Sequence, residues 1–226
     1  MNKEKLAAKK GTCLRKNNFQ NLIISIDKNR LNSILIINGA FFLTENIVNS
    51  DLIVKPNNFY MIINNGTKDL EIEYDQDITE HKVIYDPYKS ENLKKKKTLS
   101  QTFFIKNYNV PDGYIDVLAK WYSFKFTYPT YNLIFISPGF GLSIQVHRLR
   151  KENWEILDGN PIVISGNSVY YFVENGSKFC NNLNTYHSIV NPNNNPNKFV
   201  VIKEYWDGNF DEKDIVRVFN PNQYYD

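Results

Sequence analysis

The chain has few of the residues from which disulfide frameworks and metal sites are usually built: two cysteines and three histidines among 226 residues. Cys13 and Cys180 lie far apart and match neither a disulfide framework nor a metal-ligand spacing, which favours a reducing compartment. No apolar run approaches the length of a membrane span, and the first eighteen residues lack the apolar core of a secretory signal. These absences predict a cytoplasmic protein without a membrane partner.

The charge balance is also modest, with a net charge of +3 and a hydrophobic fraction of 42%. This composition is typical of a globular protein and lacks the basic surplus of a nucleic-acid-binding protein. The positive charge is concentrated at residues 3–16 and 94–97, which we interpret as a solvated tail and a linker.

Short β-branched and aromatic runs dominate what is present. Runs such as NLIISI, SILIING, FYMIINN, YNLIFISPG, LSIQVH and KFVVIKEYW are separated by Asn, Gly, Pro and Asp. Helix signals are scarce, being limited to PDGYIDVLAKWYSF and a short closing segment. Regularly spaced short strands favour an all-β sandwich or barrel.

A polar segment without periodicity, DPYKSENLKKKKTLSQ, divides the chain into two halves. We predict a basic tail over residues 1–17, a first barrel over 18–88, a charged linker over 89–100 and a second barrel over 101–226. The halves align without a gap when Ile24–Gly39 is placed under Ile144–Gly159, which predicts two copies of one barrel. In this alignment the first copy has lost the polar residues of the second, and the replacements are Asp27 for His147, Asn32 for Glu152 and Met61 for His187.

The stretch GLSIQVHRLRKENWEILDG carries the candidate chemistry. Gln145 and His147 share one face of a strand, Glu152 follows a short turn, and His187 comes about forty residues later. Two imidazoles, a carboxylate and an amide oxygen form a mixed site suited to zinc, iron, manganese or nickel. The alternative from spacing alone is that the two histidines are unrelated, hydrogen-bonded residues.

The second half resembles the cupin superfamily, and more narrowly its type II mannose-6-phosphate isomerase domain, which also occurs behind GDP-mannose pyrophosphorylase. The general cupin pattern is matched by Gly141, His147, Glu152 and Gly159. The narrower signature, Gln-x-His followed by Arg-x-Glu-x-Trp, is matched by Gln145, His147, Arg150, Glu152 and Trp154. The second motif is matched by His187 and Asn191, and the closing phrase DEKDIVR spans residues 211–217.

This resemblance implies a double cupin of two jelly-roll β-barrels, with a degenerate first copy. It implies one divalent metal, most simply zinc with iron, manganese or nickel as alternatives, held by Gln145, His147, Glu152 and His187. One position departs from the family, because Leu149 replaces the second histidine of the His-x-His motif.

The resemblance also implies a substrate, namely a sugar phosphate or nucleotide sugar. Arg150 and Arg217 match family arginines and are candidates for phosphate or transition-state contacts, while Arg148 and Lys203 are candidate substrate-binding residues. The alternative for Arg150 is an ion pair with Glu152 or Asp158, and for Arg217 it is a structural bridge.

The function expected from the resemblance is metal-dependent isomerisation of mannose 6-phosphate and fructose 6-phosphate, in the synthesis of GDP-mannose or a polysaccharide precursor. Two alternatives remain open: an inactive carbohydrate-binding or structural module, and a metal-free nucleotide-sugar epimerase or ketoisomerase. Because barrels with exposed sheet edges often pair, we also expect a homodimer.

Overall fold

The computed structural model describes residues 2–44, 47, 50–91, 100–208 and 212–222. These residues form twenty strands, one α-helix and two 3-10 turns, Lys28–Ser33 and Glu212–Asp214, which confirms the all-β prediction. The first half contains β1 (Lys3–Leu6), β2 (Leu14–Lys16), β3 (Leu22–Ile26), β4 (Ile34–Asn38), β5 (Phe41–Leu43), β6 (Asp51–Val54), β7 (Phe59–Asn64), β8 (Leu70–Tyr74) and β9 (Lys82–Tyr85). The second half contains α1 (Gln101–Asn107), β10 (Asp116–Lys120), β11 (Ser123–Thr127), β12 (Asn132–Ile136), β13 (Ile144–His147), β14 (Arg150–Asp158), β15 (Ile162–Ser165), β16 (Ser168–Tyr170), β17 (Lys178–Asn181), β18 (His187–Val190), β19 (Val200–Gly208) and β20 (Ile215–Phe219).

Each half packs two curled antiparallel sheets face to face around an aliphatic core. In the first half the order β1-β8-β3-β6 faces β5-β4-β7-β2-β9, and in the second β10-β11-β12-β19-β14-β17 faces β20-β13-β18-β15-β16. The strands alternate between buried and exposed residues, as in Leu70–Tyr74, because every second side chain enters the core. The two halves are jelly-roll barrels, and the fold is a double cupin.

The two barrels are joined through one continuous sheet of ten strands, in which β16 of the second barrel pairs with β5 of the first. Val169 N donates to Ala40 O and Phe42 N donates to Asn167 O, both at 2.9 Å. A hydrophobic cluster with buried residues from both barrels, including Phe42, lies beside this junction. The barrels therefore share a core as well as a sheet.

The predicted basic tail is part of the first barrel, which differs from the sequence-based boundary. Its residues include β1 and β2, because Leu6 and Leu14 are buried in the two cores despite the lysines around them. Most of the predicted linker, residues 92–99, lies outside the described residues. In the part of the chain that the structure describes, no helix has the length and hydropathy of a membrane span.

The predicted repeat is present as a topological repeat. Strands β12–β20 pair in the same order as β1–β9, and α1, β10 and β11 are additions to the second barrel. Both copies also contain a buried asparagine at the end of the equivalent strand: Asn64 Nδ2 donates to Leu6 O at 3.1 Å, and Asn191 Nδ2 donates to Ile136 O at 3.0 Å.

The register of the repeat differs from the predicted alignment. Arg15 pairs with Tyr60 as Gln145 pairs with His187, so Tyr60 and not its neighbour Met61 is equivalent to His187. Continuing this register along β2 and β3 gives the residues at the four ligand positions in the first barrel: Arg15, Asn17, Leu22 and Tyr60. The predicted replacements Asp27 and Asn32 lie elsewhere, at the cap and in the body of a 3-10 turn.

Candidate metal centre

The candidate ligands come from the two facing sheets of the second barrel. Gln145 and His147 lie on β13, His187 lies opposite Gln145 on the neighbouring β18, and Glu152 lies on β14 in the other sheet. Packing the sheets together therefore brings these side chains into the barrel interior. The two histidines are each only 1% exposed.

Three of the candidate side chains converge closely. His147 Nε2 lies 2.9 Å from Glu152 Oε1, and His187 Nε2 lies 3.5 Å from Glu152 Oε2. One ligand atom from each residue lies within 4.8 Å of the other two. This spacing is close to the separation of about 3–4 Å expected for ligands that share one metal at bonds of about 2.0–2.2 Å.

The tautomer of His187 is set by its backbone contact. His187 Nδ1 lies 3.0 Å from Thr185 O, and because a carbonyl oxygen can only accept, Nδ1 carries the hydrogen. Burial lowers the pKa of His187 to about 4, against the opposing effect of the Glu152 charge, so the neutral ring presents a lone pair at Nε2. That lone pair faces Glu152 Oε2, and neither atom has a hydrogen-bond partner among the described residues.

Glu152 is the anionic centre of the cluster. Burial would raise its pKa, but the hydrogen bond with His147 and the positive charge of the neighbouring Arg150 oppose that effect, and the pKa lies well below its usual range. Arg150 Nε donates to Glu152 Oε1 at 3.0 Å, and Arg150 Nη2 lies 3.3 Å from His147 Nε2. The buried Arg150 guanidinium therefore neutralises the charge of the Glu152 carboxylate, which is the ion pair given above as the alternative role of Arg150.

Asp214, in the closing 3-10 turn, lies behind the metal strand. Its carboxylate accepts from Arg148 N at 3.0 Å and from Leu149 N at 2.9 Å, and Oδ2 lies 3.9 Å from both His147 Nδ1 and Arg150 Nη1. Burial would raise the pKa of Asp214, but the two backbone donors lower it. The DEKDIVR phrase thus supplies a clamp for the turn between β13 and β14, a role that the sequence alone did not indicate.

Leu149 lies outside the cluster. It occupies the turn between β13 and β14 and its side chain is 54% exposed. The departure from the His-x-His motif therefore removes a ligand position from the site without placing an apolar side chain inside it. Gln145 does face the cluster, with Nε2 at 3.3 Å from His147 Nε2 and Oε1 accepting from Ser143 Oγ. A half-turn of this amide would present Oε1 to a cation, with the amide nitrogen on Ser143.

A cavity of about 630 Å³ leads to the cluster. Gln145, Arg150 and Glu152 line its inner part, and the two histidines lie behind them. The cavity wall also contains Lys125 and the buried Glu204, neither of which the sequence reasoning selected. The signal for Glu204 was present in VVIKEYW, where a glutamate occupies an inward position of an alternating strand.

Glu204 accepts from two buried donors, Asn132 Nδ2 at 2.8 Å and Trp154 Nε1 at 3.3 Å. Burial raises the pKa of Glu204 to about 8, and the nearby Glu152 charge adds to this rise while the Asn132 hydrogen bond opposes it. The site therefore holds two carboxyl groups whose pKa values are shifted in opposite directions, downward for Glu152 and upward for Glu204.

The remaining predicted residues are distributed differently. Arg217 is exposed and lines the cavity from β20, next to Gln145 in the ladder. Arg148 is exposed in the β13–β14 turn. Lys203 faces the outer side of β19, with Nζ 4.0 Å from the Tyr131 ring centre, and lines a separate cavity of about 450 Å³. Neither Arg148 nor Lys203 is brought to the cluster by the fold.

The donor set fits a divalent cation of the zinc type. Glu152 Oε2 and His187 Nε2 lie 3.5 Å apart, are buried and have no hydrogen-bond partner among the described residues, so a cation between them would bind both lone pairs. Two imidazole nitrogens and a carboxylate leave open positions for an amide oxygen and substrate, the pattern of a catalytic rather than a closed structural site.

A family model described as mannose-6-phosphate isomerase C-terminal matches residues 95–220, which is more than half of the chain. The chain belongs to this family. The matched region contains the helix and all strands of the second barrel, and with them the cluster of His147, Glu152 and His187. The resemblance inferred from the sequence motifs is thus confirmed for the family.

Solved structures of bicupin enzymes align with nearly the whole chain at low similarity. Oxalate decarboxylase from Lactobacillus farciminis shares 11% identity, with a TM-score of 0.38 over 96% of this chain and 79% of that chain. Salicylate 1,2-dioxygenase from Pseudaminobacter salicylatoxidans shares 9% identity, with a TM-score of 0.30 over 90% of this chain and 69% of that chain. A search of curated protein sequences finds no relative of the chain.

Proposed function

We propose that the second barrel is a metal-dependent isomerase that interconverts mannose 6-phosphate and fructose 6-phosphate. Supply of a precursor for GDP-mannose or polysaccharide synthesis is part of the same proposal. The first barrel has a structural role, since Leu22, Tyr60 and Asn17 replace the acidic and imidazole groups there.

The observation that carries the proposal is the pair of facing lone pairs on Glu152 Oε2 and His187 Nε2 at the end of an open cavity. His147, Glu152 and His187 would hold the cation, and Gln145 would add its amide oxygen. A divalent metal bound there supplies a Lewis acid that polarises a sugar carbonyl.

The cationic side chains of the cavity support a phosphorylated substrate. Lys120, Lys125 and Arg217 line the cavity together with the buried Arg150, while the carboxyl groups lie deeper. Because a phosphate dianion is matched by guanidinium and ammonium donors, this distribution orients a sugar phosphate with its sugar toward the cluster.

A metal-free carbohydrate-binding or epimerase barrel is the second candidate, and one observation favours it. Arg150 Nε already donates to Glu152 Oε1 at 3.0 Å, so the carboxylate has a counter-charge without a metal. In that case the cluster is a buried ion-pair network, and the cavity binds or epimerises its sugar without a metal.

Metal analysis combined with a sugar-phosphate assay tests the proposal. The purified full chain is expected to bind about one zinc or other divalent ion and to convert mannose 6-phosphate to fructose 6-phosphate. His187→Ala should lower zinc affinity by about 100-fold or more, since losing a ligand costs at least as much as losing its outer-shell partner. Zinc affinity is measured by competition with a chromophoric chelator.

His81→Ala is the matched control, because His81 is the third histidine and is also buried. It lies in the first barrel, where its Nδ1 is 2.8 Å from Tyr60 Oη. This variant should keep its metal, and circular dichroism shows whether each variant is folded. Protein that binds no metal and does not isomerise mannose 6-phosphate contradicts the proposal and favours the metal-free candidate.

A further inference from the structure

We propose that Glu204 is the acid–base residue that moves the proton between C1 and C2 of the sugar in the second barrel. The inference rests on the proposed isomerase function and deepens it by assigning the proton transfer. Such a reaction needs one group that accepts a carbon-bound proton and returns it to the neighbouring carbon.

The placement of Glu204 suits this role. Trp154 pairs with Glu204 and Glu152 pairs with Trp206 in the β14–β19 ladder, so the two glutamates are diagonal neighbours on one face. Diagonal partners are roughly 7 Å apart at Cβ, and both glutamates line the same cavity, so a sugar bound at the cluster would lie within reach of the second carboxyl group.

The orientation of the Glu204 carboxyl group is also fixed. Asn132 donates to Oε1 and Trp154 donates to Oε2, and both donors are buried, so the carboxyl plane is held while each oxygen keeps a further lone pair. Glu204 itself is 9% exposed and lines the cavity. A pKa raised by burial toward the working pH range is the property expected of such a base.

The first barrel offers an internal comparison. By the register of β8 and β19, Tyr74 occupies the position equivalent to Glu204, and its hydroxyl donates to Glu4 at 2.8 Å. The barrel that lacks the His/Glu/His cluster therefore also lacks a carboxyl group at this position.

The step is balanced within the substrate. The Glu204 carboxylate removes the proton from C2 of the open-chain aldose, the C2–H bonding pair forms the C1=C2 bond, and the C1=O1 π pair moves to O1. The resulting enediolate takes the proton back from Glu204 at C1, the O2–H proton passes to O1, and C2=O2 forms the ketose.

Glu204→Gln tests this assignment against Glu155→Gln, a control on the outward face of β14 that contacts Lys178 at 3.8 Å. The metal-loaded full chain is assayed for fructose 6-phosphate formation, for deuterium incorporation from heavy water into the sugar, and for mannose 6-phosphate binding by calorimetry. Glu204→Gln should bind zinc and mannose 6-phosphate within about threefold of wild type, while isomerisation and deuterium incorporation fall by roughly 10²–10⁴-fold. Glu155→Gln should match wild type in every measurement.

Three results overturn the assignment, and they are distinguishable. Turnover by Glu204→Gln within tenfold of wild type removes Glu204 from the proton transfer but leaves the proposed function standing. Loss of metal or substrate binding in proportion to the loss of turnover shows a structural role. Wild-type protein that neither isomerises nor exchanges a sugar hydrogen overturns the proposed function together with the role of Glu204.

Discussion

At the scale of single residues, the hydrogen on His187 Nδ1 determines what the second barrel can bind. Thr185 O fixes that hydrogen, and the ring nitrogen on the other side is left with a lone pair directed at Glu152. Two buried lone pairs in this arrangement stabilise a cation and otherwise repel each other. The tautomer therefore links one backbone carbonyl to the metal preference of the whole site.

Restoring the family histidine at position 149 tests whether the exposed turn is really outside the site. Leu149→His should change zinc affinity by less than about threefold, because the side chain at this position points to solvent and no bond to the metal is gained. Zinc competition titration provides the measurement. An increase in affinity of tenfold or more would show that the β13–β14 turn folds inward when metal binds.

Glu204 should make the stability of the metal-free protein depend on pH. Its pKa is raised from 4.5 to about 8, so the folded state holds a proton that the unfolded state releases. This contribution is fully present below about pH 4.5 and is lost as the pH rises through about 8. Glu204→Gln cannot titrate, and its free energy of unfolding should fall less between about pH 6.5 and 9.

Urea unfolding of chelator-treated wild type and Glu204→Gln at several pH values measures this difference. His187 does not interfere in this window, since its lowered pKa affects stability only below its ordinary value of 6.5. Equal slopes for the two proteins would contradict a protonated Glu204 in the fold.

At the scale of elements, the turn between β13 and β14 depends on a segment from the far end of the chain. Asp214 accepts from two backbone donors in that turn and lies near His147 Nδ1. Asp214→Asn keeps the shape but removes the charge and one acceptor. It should lower zinc affinity by about 10–100-fold and destabilise the fold by about 1–3 kcal/mol.

Asp207→Asn is the matched control for this variant, because Asp207 is an exposed aspartate at the end of β19. Zinc titration and thermal unfolding of the two variants give the comparison. If Asp214→Asn binds zinc as tightly as wild type, Asp214 stabilises the turn but has no effect on the metal site.

Most strands were predictable from the sequence, but the helix predicted in PDGYIDVLAKWYSF forms β10 and the start of β11, and the register between the two copies was not predictable. Runs such as Leu70–Tyr74 alternate between apolar and polar residues, which identifies them as strands. The motif around His147 identified the family. Gly39 shows why the alignment failed: it was matched to Gly159, yet it turns the β4–β5 hairpin with φ 59°, as Gly166 does for β15–β16 with φ 61°. Similar isoleucine-rich strands align in several registers, and only their pairing partners select one.

The candidate site was also only partly predictable, because some of its residues belong to sequence motifs and others are brought together by strand pairing. The cluster of His147, Glu152 and His187 follows from motif residues, and the structure brings these residues together. Glu204 and Asp214 act through pairing and turns that join distant parts of the chain, which spacing along the sequence does not reveal. Lys203 was predicted to bind substrate, but strand alternation places it on the outer face, opposite to Glu204.

At the scale of the whole molecule, the continuous ten-stranded sheet predicts that the two barrels unfold together. Phe59 stacks on Tyr171 with ring centres 4.0 Å apart, and Tyr171 Oη donates to Gly39 O at 2.6 Å. Calorimetry of the full chain should give one transition. A chain of residues 100–226 should melt at least about 10 °C lower or aggregate, because it exposes the shared core.

Two separate calorimetric transitions, or a second barrel with undiminished melting temperature on its own, would contradict this coupling. The metal-free full chain is the proper reference, since bound metal raises the apparent stability of the second barrel alone.

The sheet that joins the barrels also determines how substitutions in the first barrel affect the second. Because the two barrels share a core and the β16–β5 pairing joins their sheets, removing the first barrel would expose apolar surface of the second. If the second barrel binds metal as proposed, substitutions that weaken the first barrel would lower the folded fraction and with it the metal occupancy, so variants far from the proposed ligands should show a partial loss of function.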